Sequence, residues 1–320
     1  MSDDELNTLA GFVGKLLKVI VSRRDASVEK SLFDKEVIKS NLKISEQTID
    51  GLSKITAELK PSFEYALFRS MFMEKANKSY YHYTSFENLF HILNNGMIQI
   101  NALTGVNDRS EIDFVNNYMG KKPDNPYQYI TMAYHNYHFI FSLSEAKDQL
   151  NQWRLYGDDA KGVMIEFETK SPEMPPENVL ISKVSYDLNV FDAYKEWKEF
   201  IEESTTVSFN LVSMDYWKFF FKNQDYKDEM EVRLIIKNNK SAEHLEFEEK
   251  FKLNRYNLIF PYIELQCIGE KAEFLAVKSI TLGPKILEPE VNIAQLQYLL
   301  SKKYPSLDIP VQRSRISHYR

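Results

Sequence analysis

One cysteine, Cys267, stands in a chain of 320 residues. An intrachain disulfide is therefore impossible, a cysteine-rich zinc site is excluded, and the chain reads as a cytoplasmic protein. Long apolar runs are missing as well. No stretch reaches the roughly 18 apolar residues of a membrane span, so no membrane contact is expected. The start, MSDDELNTLAGFVGKLLKVIVSRR, is acidic where a secretory signal would be basic, and Asn, Lys and Gly interrupt its apolar positions. Nor is there a surplus of positive charge. Forty basic against 46 acidic side chains leave a net −6, which removes the global footprint of a nucleic-acid binder and leaves room only for a local basic patch. The ten glycines form no Walker or Rossmann fingerprint, and no Gly-x-Ser-x-Gly elbow accompanies the serines of FSLSEA. Neither an internal repeat nor a low-complexity tract is visible.

What is present is enough apolar character, 43% of residues, to bury a core in one large domain or two unequal ones. Residues 1 to 76 read as all-helical. Ser2 and Glu5 have capping-box spacing ahead of Leu6, Leu9, Ala10, Val13, Leu16, Leu17 and Ile20 at helical period. A second helix is predicted over SVEKSLFDKEVIKS, a third through Ile49, Leu52, Ile55 and Leu59, and a fourth opened by Pro61. Such a block either packs as a layer on the next domain or serves to bind a partner protein or to oligomerise.

From residue 77 to 320 the texture is β-rich. YHFIFSLS, KGVMIEFE, NVLISKVSYD, EVRLIIK, EFLAVKSITLG and DIPVQR carry Val, Ile, Phe and Tyr between polar or Gly/Pro punctuation and are predicted strands. Helices are predicted over FDAYKEWKEFIEES with SFNLVSMDYWKFFFKN, and over NIAQLQYLLSKKY. Strands and helices do not alternate, so the expected class is α+β.

The stretch SYYHYTSFENLFHILNNGMIQINA, residues 79–102, shows a strand, a helix and a second strand. Thr84 and Glu87 have capping-box spacing, Phe86, Leu89, Phe90 and Leu93 share a helical face, and Gly96 is the stop. Alternation puts His82 on the face opposite Tyr81 and Tyr83, at a strand end beside the free N–H groups of a helix N-terminus, a setting that suits a nucleotide phosphate or ribose.

YHYTSFENLFHILNNGMI resembles the first motif of the ADP-ribosyltransferase superfamily, in particular the branch of DNA-targeting toxins. From Tyr80 to Arg320 the chain also resembles a widespread bacterial family of unknown function, through HYTSFENLFHIL, VNDRSEI, FSLSEAKDQLNQWRLYGDDAKGVMIEF, DEMEVRLI, VKSITLGPKI and VQRSRI. The resemblance implies an ADP-ribosyltransferase-like split, mostly antiparallel sheet with flanking helices. It also implies NAD as substrate, ribose contacts from His82 and Thr84, further cofactor contacts from Tyr83 and Glu229, catalytic roles for His82 and Tyr156 beside a carboxylate, and a role as a bacterial toxin or phage-defence effector.

Breaking the nicotinamide–ribose bond needs a carboxylate near the ribose, an aromatic surface and donors for pyrophosphate. In DEMEVRLII, strand alternation would place Glu229, Glu231 and Arg233 on one face. Glu231 is the expected catalytic carboxylate, and an ordinary same-face pair with Arg233 is the bland alternative. In NQWRLYGDDAKGV, Trp153 is expected in the core and Tyr156 toward ligand, with Tyr134 and Tyr137 as rivals for the substrate-facing tyrosine. Arg154, or Arg109 in GVNDRSEI, is expected on phosphate. His135 and His138 lack a third ligand, so no metal site is expected.

The sequence therefore predicts a helical region at 1–76, an α+β domain at 77–320, and a cleft between the strand of His82 and that of Glu231. It predicts an NAD-dependent ADP-ribosyltransferase-like enzyme acting on an undefined nucleic-acid or protein acceptor. The alternatives are a non-catalytic nucleotide-sensing or interaction module, and a Mg²⁺ nuclease built on Asp108, Glu111, Glu229 and Glu231.

Overall fold

The computed structural model describes residues 1–23, 28–49, 52–72, 77–103, 114–115, 118, 138–170, 178–212, 218–238, 246–253, 257 and 259–317. In chain order its helices are α1 (Asp3–Arg23), α2 (Lys35–Asn41), α3 (Pro61–Phe72), α4 (Phe86–Asn95), α5 (Leu150–Leu155), α6 (Asn189–Thr205) and α7 (Pro289–Lys303). The strands are β1 (Leu42–Ile49), β2 (Leu52–Leu59), β3 (Ser79–Thr84), β4 (Met97–Ala102), β5 (His138–Ser144), β6 (Val163–Thr169), β7 (Val179–Lys183), β8 (Val207–Asn210), β9 (Glu231–Lys237), β10 (Lys250–Leu253), β11 (Ile259–Gln266), β12 (Leu275–Leu282) and β13 (Val311–Arg313). The class is α+β, with a helical start and a large, mostly antiparallel sheet.

The chain divides into two compact units. One comprises Met1–Met73, Ser110–Lys122 and Ser185–Gln224, and the other Glu74–Arg109, Pro123–Val184 and Asp225–Arg320. In the first unit α1 forms as its spacing requires. Ser2 and Glu5 cap it reciprocally, through Ser2 N–H to Glu5 at 2.5 Å and Glu5 N–H to the Ser2 hydroxyl at 3.2 Å. Its apolar stripe, Leu9, Ala10, Val13, Leu16, Leu17 and Ile20, is fully buried, each large side chain contributing about 1.5–3 kcal/mol.

The all-helical expectation fails between Leu42 and Leu59. These residues form a β-hairpin, β1 against β2, running from Leu42↔Leu59 to Ile49↔Leu52. Two alternating eight-residue runs flank Asp50-Gly51, the pair most suited to a two-residue hairpin loop. The i, i+3 spacing of Ile49, Leu52 and Ile55 matches a helical period, but the three residues lie on two paired strands. The expected second helix is a 3₁₀ turn, Lys30–Phe33, followed by α2. The helix expected over SFNLVSMDYWKFFFKN is also replaced, by β8 and a 3₁₀ turn at Lys218–Phe220. β8 pairs with β2 in parallel, Ile55↔Val207 through Glu58↔Asn210, and a partner this distant in sequence leaves no local signal.

The second unit holds a ten-stranded sheet in the order β10-β11-β4-β5-β3-β6-β12-β13, with β9 and β7 attached through β5. β9 runs along one edge of β5 from His138 to Ser144. The other edge is shared. β4 pairs there at Phe139 and Ile140, and β3 at Ser144. The sheet is therefore split between β4 and β3, with Phe141–Leu143 at the opening. One face carries the core: Phe139, Phe141, Leu143, Val232, Leu234, Ile236, Ile165 and Phe167, covered by Leu89 and Leu93 of α4 and Leu296 and Leu300 of α7. The helix α4 is capped by Ser85, whose hydroxyl accepts from Asn88 N–H, rather than by Thr84, and it ends at Gly96 with φ 72°, a conformation suited to glycine.

Candidate functional site

Register assigns each polar side chain to a face, because directly paired residues in a sheet point the same way. Ser142 opposes Arg233 and Ser144 opposes both Glu231 and Tyr81. The face away from the main core thus carries Tyr81 and Tyr83 on β3, Ser142 and Ser144 on β5, and Glu231 and Arg233 on β9. His82 lies on the apolar face, its ring 4.4 Å from that of Phe141. The expected cleft with His82 and Glu231 side by side does not form. β3 and β9 lie on either side of β5, and the two side chains leave the sheet in opposite directions.

One residue joins them. His82 Nδ1 donates to the Ser142 carbonyl at 2.9 Å, which fixes the proton on Nδ1 because a carbonyl only accepts. Burial holds the imidazole below its ordinary value, partly offset by that bond, so the neutral ring has Nε2 as an acceptor. On the other face the Ser142 hydroxyl donates to Glu231 Oε1 at 2.6 Å. Arg233 grips the same carboxylate in two places, Nε to Oε1 at 2.8 Å and Nη2 to Oε2 at 2.9 Å. Glu231 and Arg233 are only 6% and 4% exposed, whereas Ser142 is exposed. An exposed serine in a central strand marks an opening in the sheet, and it lies at the split.

Glu229 is not on the strand. It ends a 3₁₀ helix, Gln224–Glu229, and Met230 at φ 48° turns the chain before β9 begins. The expectation that Glu229, Glu231 and Arg233 share one strand face is corrected accordingly. Its carboxylate accepts from Tyr156 OH at 2.6 Å, while its carbonyl accepts from Ser144 Oγ at 2.6 Å and Gln152 Nε2 at 3.1 Å. Gln152 and Tyr156, one helical turn apart, thus hold Glu229 from α5 and its C-terminus. Tyr156 is 44% exposed and Trp153 fully buried, the division expected from sequence.

Tyr83 and Thr84 occupy structural positions. Tyr83 is buried; its hydroxyl donates to the Ala146 carbonyl and accepts from Gln149 N–H, and its ring meets Trp153 edge-on at 5.0 Å. Burial pushes its phenol well above the ordinary range. Thr84 is buried and its hydroxyl accepts from Asn88 Nδ2 at 2.9 Å. Arg154 is exposed on α5. Arg109, Tyr134, Tyr137, Asp108, Glu111 and His135 lie outside the described residues.

The loop after Tyr156 is unusually constrained. Asp158, Asp159 and Ala160 all have positive φ, 52°, 49° and 68°, a left-handed turn that costs about 1–2 kcal/mol per non-glycine residue. Gly162 makes it possible, since a Cβ there would stand 2.1 Å from the Thr84 carbonyl.

Residues 152–234 match the model of a family described as a protein of unknown function, DUF2971. The matched segment contains Gln152, Trp153, Tyr156, Gly162, Glu229, Glu231 and Arg233, and therefore both carboxylates with most of the helix that holds one of them. Ser142 and His82 lie outside it. No curated protein matches the chain, and no solved structure does. No described helix is long and apolar enough to cross a membrane, and no group of three or more His, Cys, Asp or Glu among the described residues is placed to hold a metal.

Sequence reasoning passed over Ser142 because the serines of FSLSEA were weighed only as nucleophiles. The available signal was a pair of polar residues, two apart, inside an otherwise apolar central strand, where buried or half-buried hydroxyls require partners. Tyr81 was legible as facing away from His82, but which face would carry the carboxylate was not.

Proposed function

We propose that the second unit is an NAD-using, ADP-ribosyltransferase-like enzyme whose site lies on the Glu231 face of the split sheet. The observation that carries this reading is the exposed Ser142 at the split, with its hydroxyl on Glu231. Transfer of ADP-ribose develops positive charge on the ribose ring, and a carboxylate fixed in advance by Arg233 and Ser142 needs no reorganisation to meet it. His82 then acts by position. It holds the backbone of Ser142 from the far face, in place of the ribose contact expected from sequence. Tyr156 and Glu229 sit at the rim. Incubation with NAD labelled in the adenine ring tests the reading: it requires release of nicotinamide and label on protein, DNA or RNA, and it falls if neither occurs.

A second reading has its own observation. A buried carboxylate held bidentately by a buried guanidinium is also how a sheet satisfies two charges it has enclosed, which favours a non-catalytic nucleotide-binding or interaction module. Saturable NAD binding by calorimetry without nicotinamide release selects that module.

A further inference from the structure

Beyond Ser142, the same face of the sheet continues across β3, β6 and β12, and a second cluster stands there that the transferase reading does not use. Tyr81, half-buried, opposes Glu166 on β6. Glu166 in turn opposes Ser279 on β12 and accepts its hydroxyl at 2.8 Å. Lys147, from the turn after β5, lays its ammonium 5.4 Å from the centroid of the Tyr81 ring and 3.7 Å from Glu166 Oε2. Burial pulls the Glu166 carboxyl upward, but hydrogen bonds from Ser79 and Ser279 and the nearby Lys147 outweigh it and keep the group below its ordinary range. The cluster is therefore an aromatic face, an ionised carboxylate and a cation lying against both.

We propose that Tyr81 and Glu166 form a subsite for a small organic cation, a quaternary ammonium or pyridinium group, and that Lys147 is its built-in occupant. An aromatic face beside a carboxylate is the combination that recognises such cations. The carboxylate is anchored from β12 by Ser279, so the subsite keeps its shape when the cation leaves. Lys147 is held loosely by comparison. Its contact with Glu166 is long for a charge-assisted bond, its side chain is 52% exposed against 17% for Glu166, and a four-carbon stem lets it swing into water. The subsite is independent of NAD turnover.

The test is titration of the full chain with tetramethylammonium and with N-methylpyridinium, followed by the heat of binding. Lys147→Ala vacates the subsite and should bind at least about tenfold more tightly than wild type, the scale of one cation–aromatic contact. In the Lys147→Ala background, Tyr81→Phe retains the ring and the binding, Tyr81→Leu loses it, and Glu166→Gln weakens it. No saturable binding to folded Lys147→Ala, or binding that survives Tyr81→Leu, overturns the proposal. Cation binding by a protein that never releases nicotinamide leaves the subsite standing and removes only the transferase reading.

Discussion

Ser142 reaches both faces of the sheet at once, its carbonyl taking His82 and its hydroxyl lying 2.6 Å from Glu231 Oε1. Ser142→Ala removes only the hydroxyl, and at an exposed position that bond is worth about 0.5–1.5 kcal/mol to stability. Under the proposed function its effect on nicotinamide release is larger, on the order of 10- to 100-fold, because the orientation of Glu231 is lost. Urea unfolding and a release assay on the same preparation separate the two. A stability loss with unchanged release would assign Ser142 to the fold alone.

Glu231→Gln replaces the buried carboxylate that takes two bonds from the Arg233 guanidinium by a neutral amide. We expect loss of about 3–5 kcal/mol of stability, as for other enclosed pairs broken on one side, with most of it recovered in Glu231→Leu/Arg233→Leu. Equilibrium denaturation of the two variants decides this. If Glu231→Gln is as stable as wild type, Arg233 has another anion and the pair is not the organising charge of the face.

The imidazole of His82 gives a pH signature. Its folded-state value lies below the ordinary 6.5 because of burial, so as pH falls the unfolded chain takes up the proton first and stability is lost. The loss begins near pH 6.5 and continues down to the folded value; above that range His82 contributes no slope. Melting temperatures between pH 7.5 and 5 should fall less steeply for His82→Asn than for wild type. Parallel curves would mean that the ring is protonated as easily folded as unfolded.

Gly162→Ala places a methyl group 2.1 Å from the Thr84 carbonyl, closer than backbone can yield. The left-handed turn at Asp158–Ala160 and the end of β3 must separate, with an expected cost of more than about 3 kcal/mol or failure to fold. Thermal unfolding measures it, and a Gly162→Ala protein within 1 °C of wild type would show that the turn adjusts freely.

Cys267 is buried, its thiol donates to the Gly96 carbonyl, and burial pushes it up to about 12. The thiolate is the reactive form. Native protein should therefore resist an aromatic disulfide reagent at pH 8 for as long as it stays folded, while denatured protein reacts at once. Rapid labelling of the native state would place Cys267 on a segment that opens.

The predicted strands at YHFIFSLS, KGVMIEFE, EVRLIIK and EFLAVKSITLG were legible because each is buried on at least one face and rich in β-branched or aromatic residues. The α1 helix was legible because cap and stripe agreed. What escaped was set by distant partners. β8 owes its conformation to β2, and Glu229 leaves the strand at Met230, a positive-φ residue that propensity does not foresee. The candidate site was half legible: Glu231 with Arg233, and the split between buried Trp153 and exposed Tyr156, follow from alternation and helical spacing. The face on which His82 would fall relative to Glu231 did not, because that depends on the register of β3 and β9 against β5, which single strands do not encode.

The parallel pairing of β2 with β8 also sets a schedule for the nascent chain. The β1–β2 hairpin can close as soon as Leu59 leaves the ribosome, yet the edge at Ile55–Glu58 has no partner until Val207–Asn210 has been made. At roughly 5–20 residues per second, the intervening stretch of about 150 residues takes about 8 to 30 s to synthesise. For that interval β2 presents unpaired N–H and C=O groups, the condition that invites pairing with another chain. Synthesis of this protein at high density, on crowded polysomes, should therefore yield aggregates seeded by its first 60 residues.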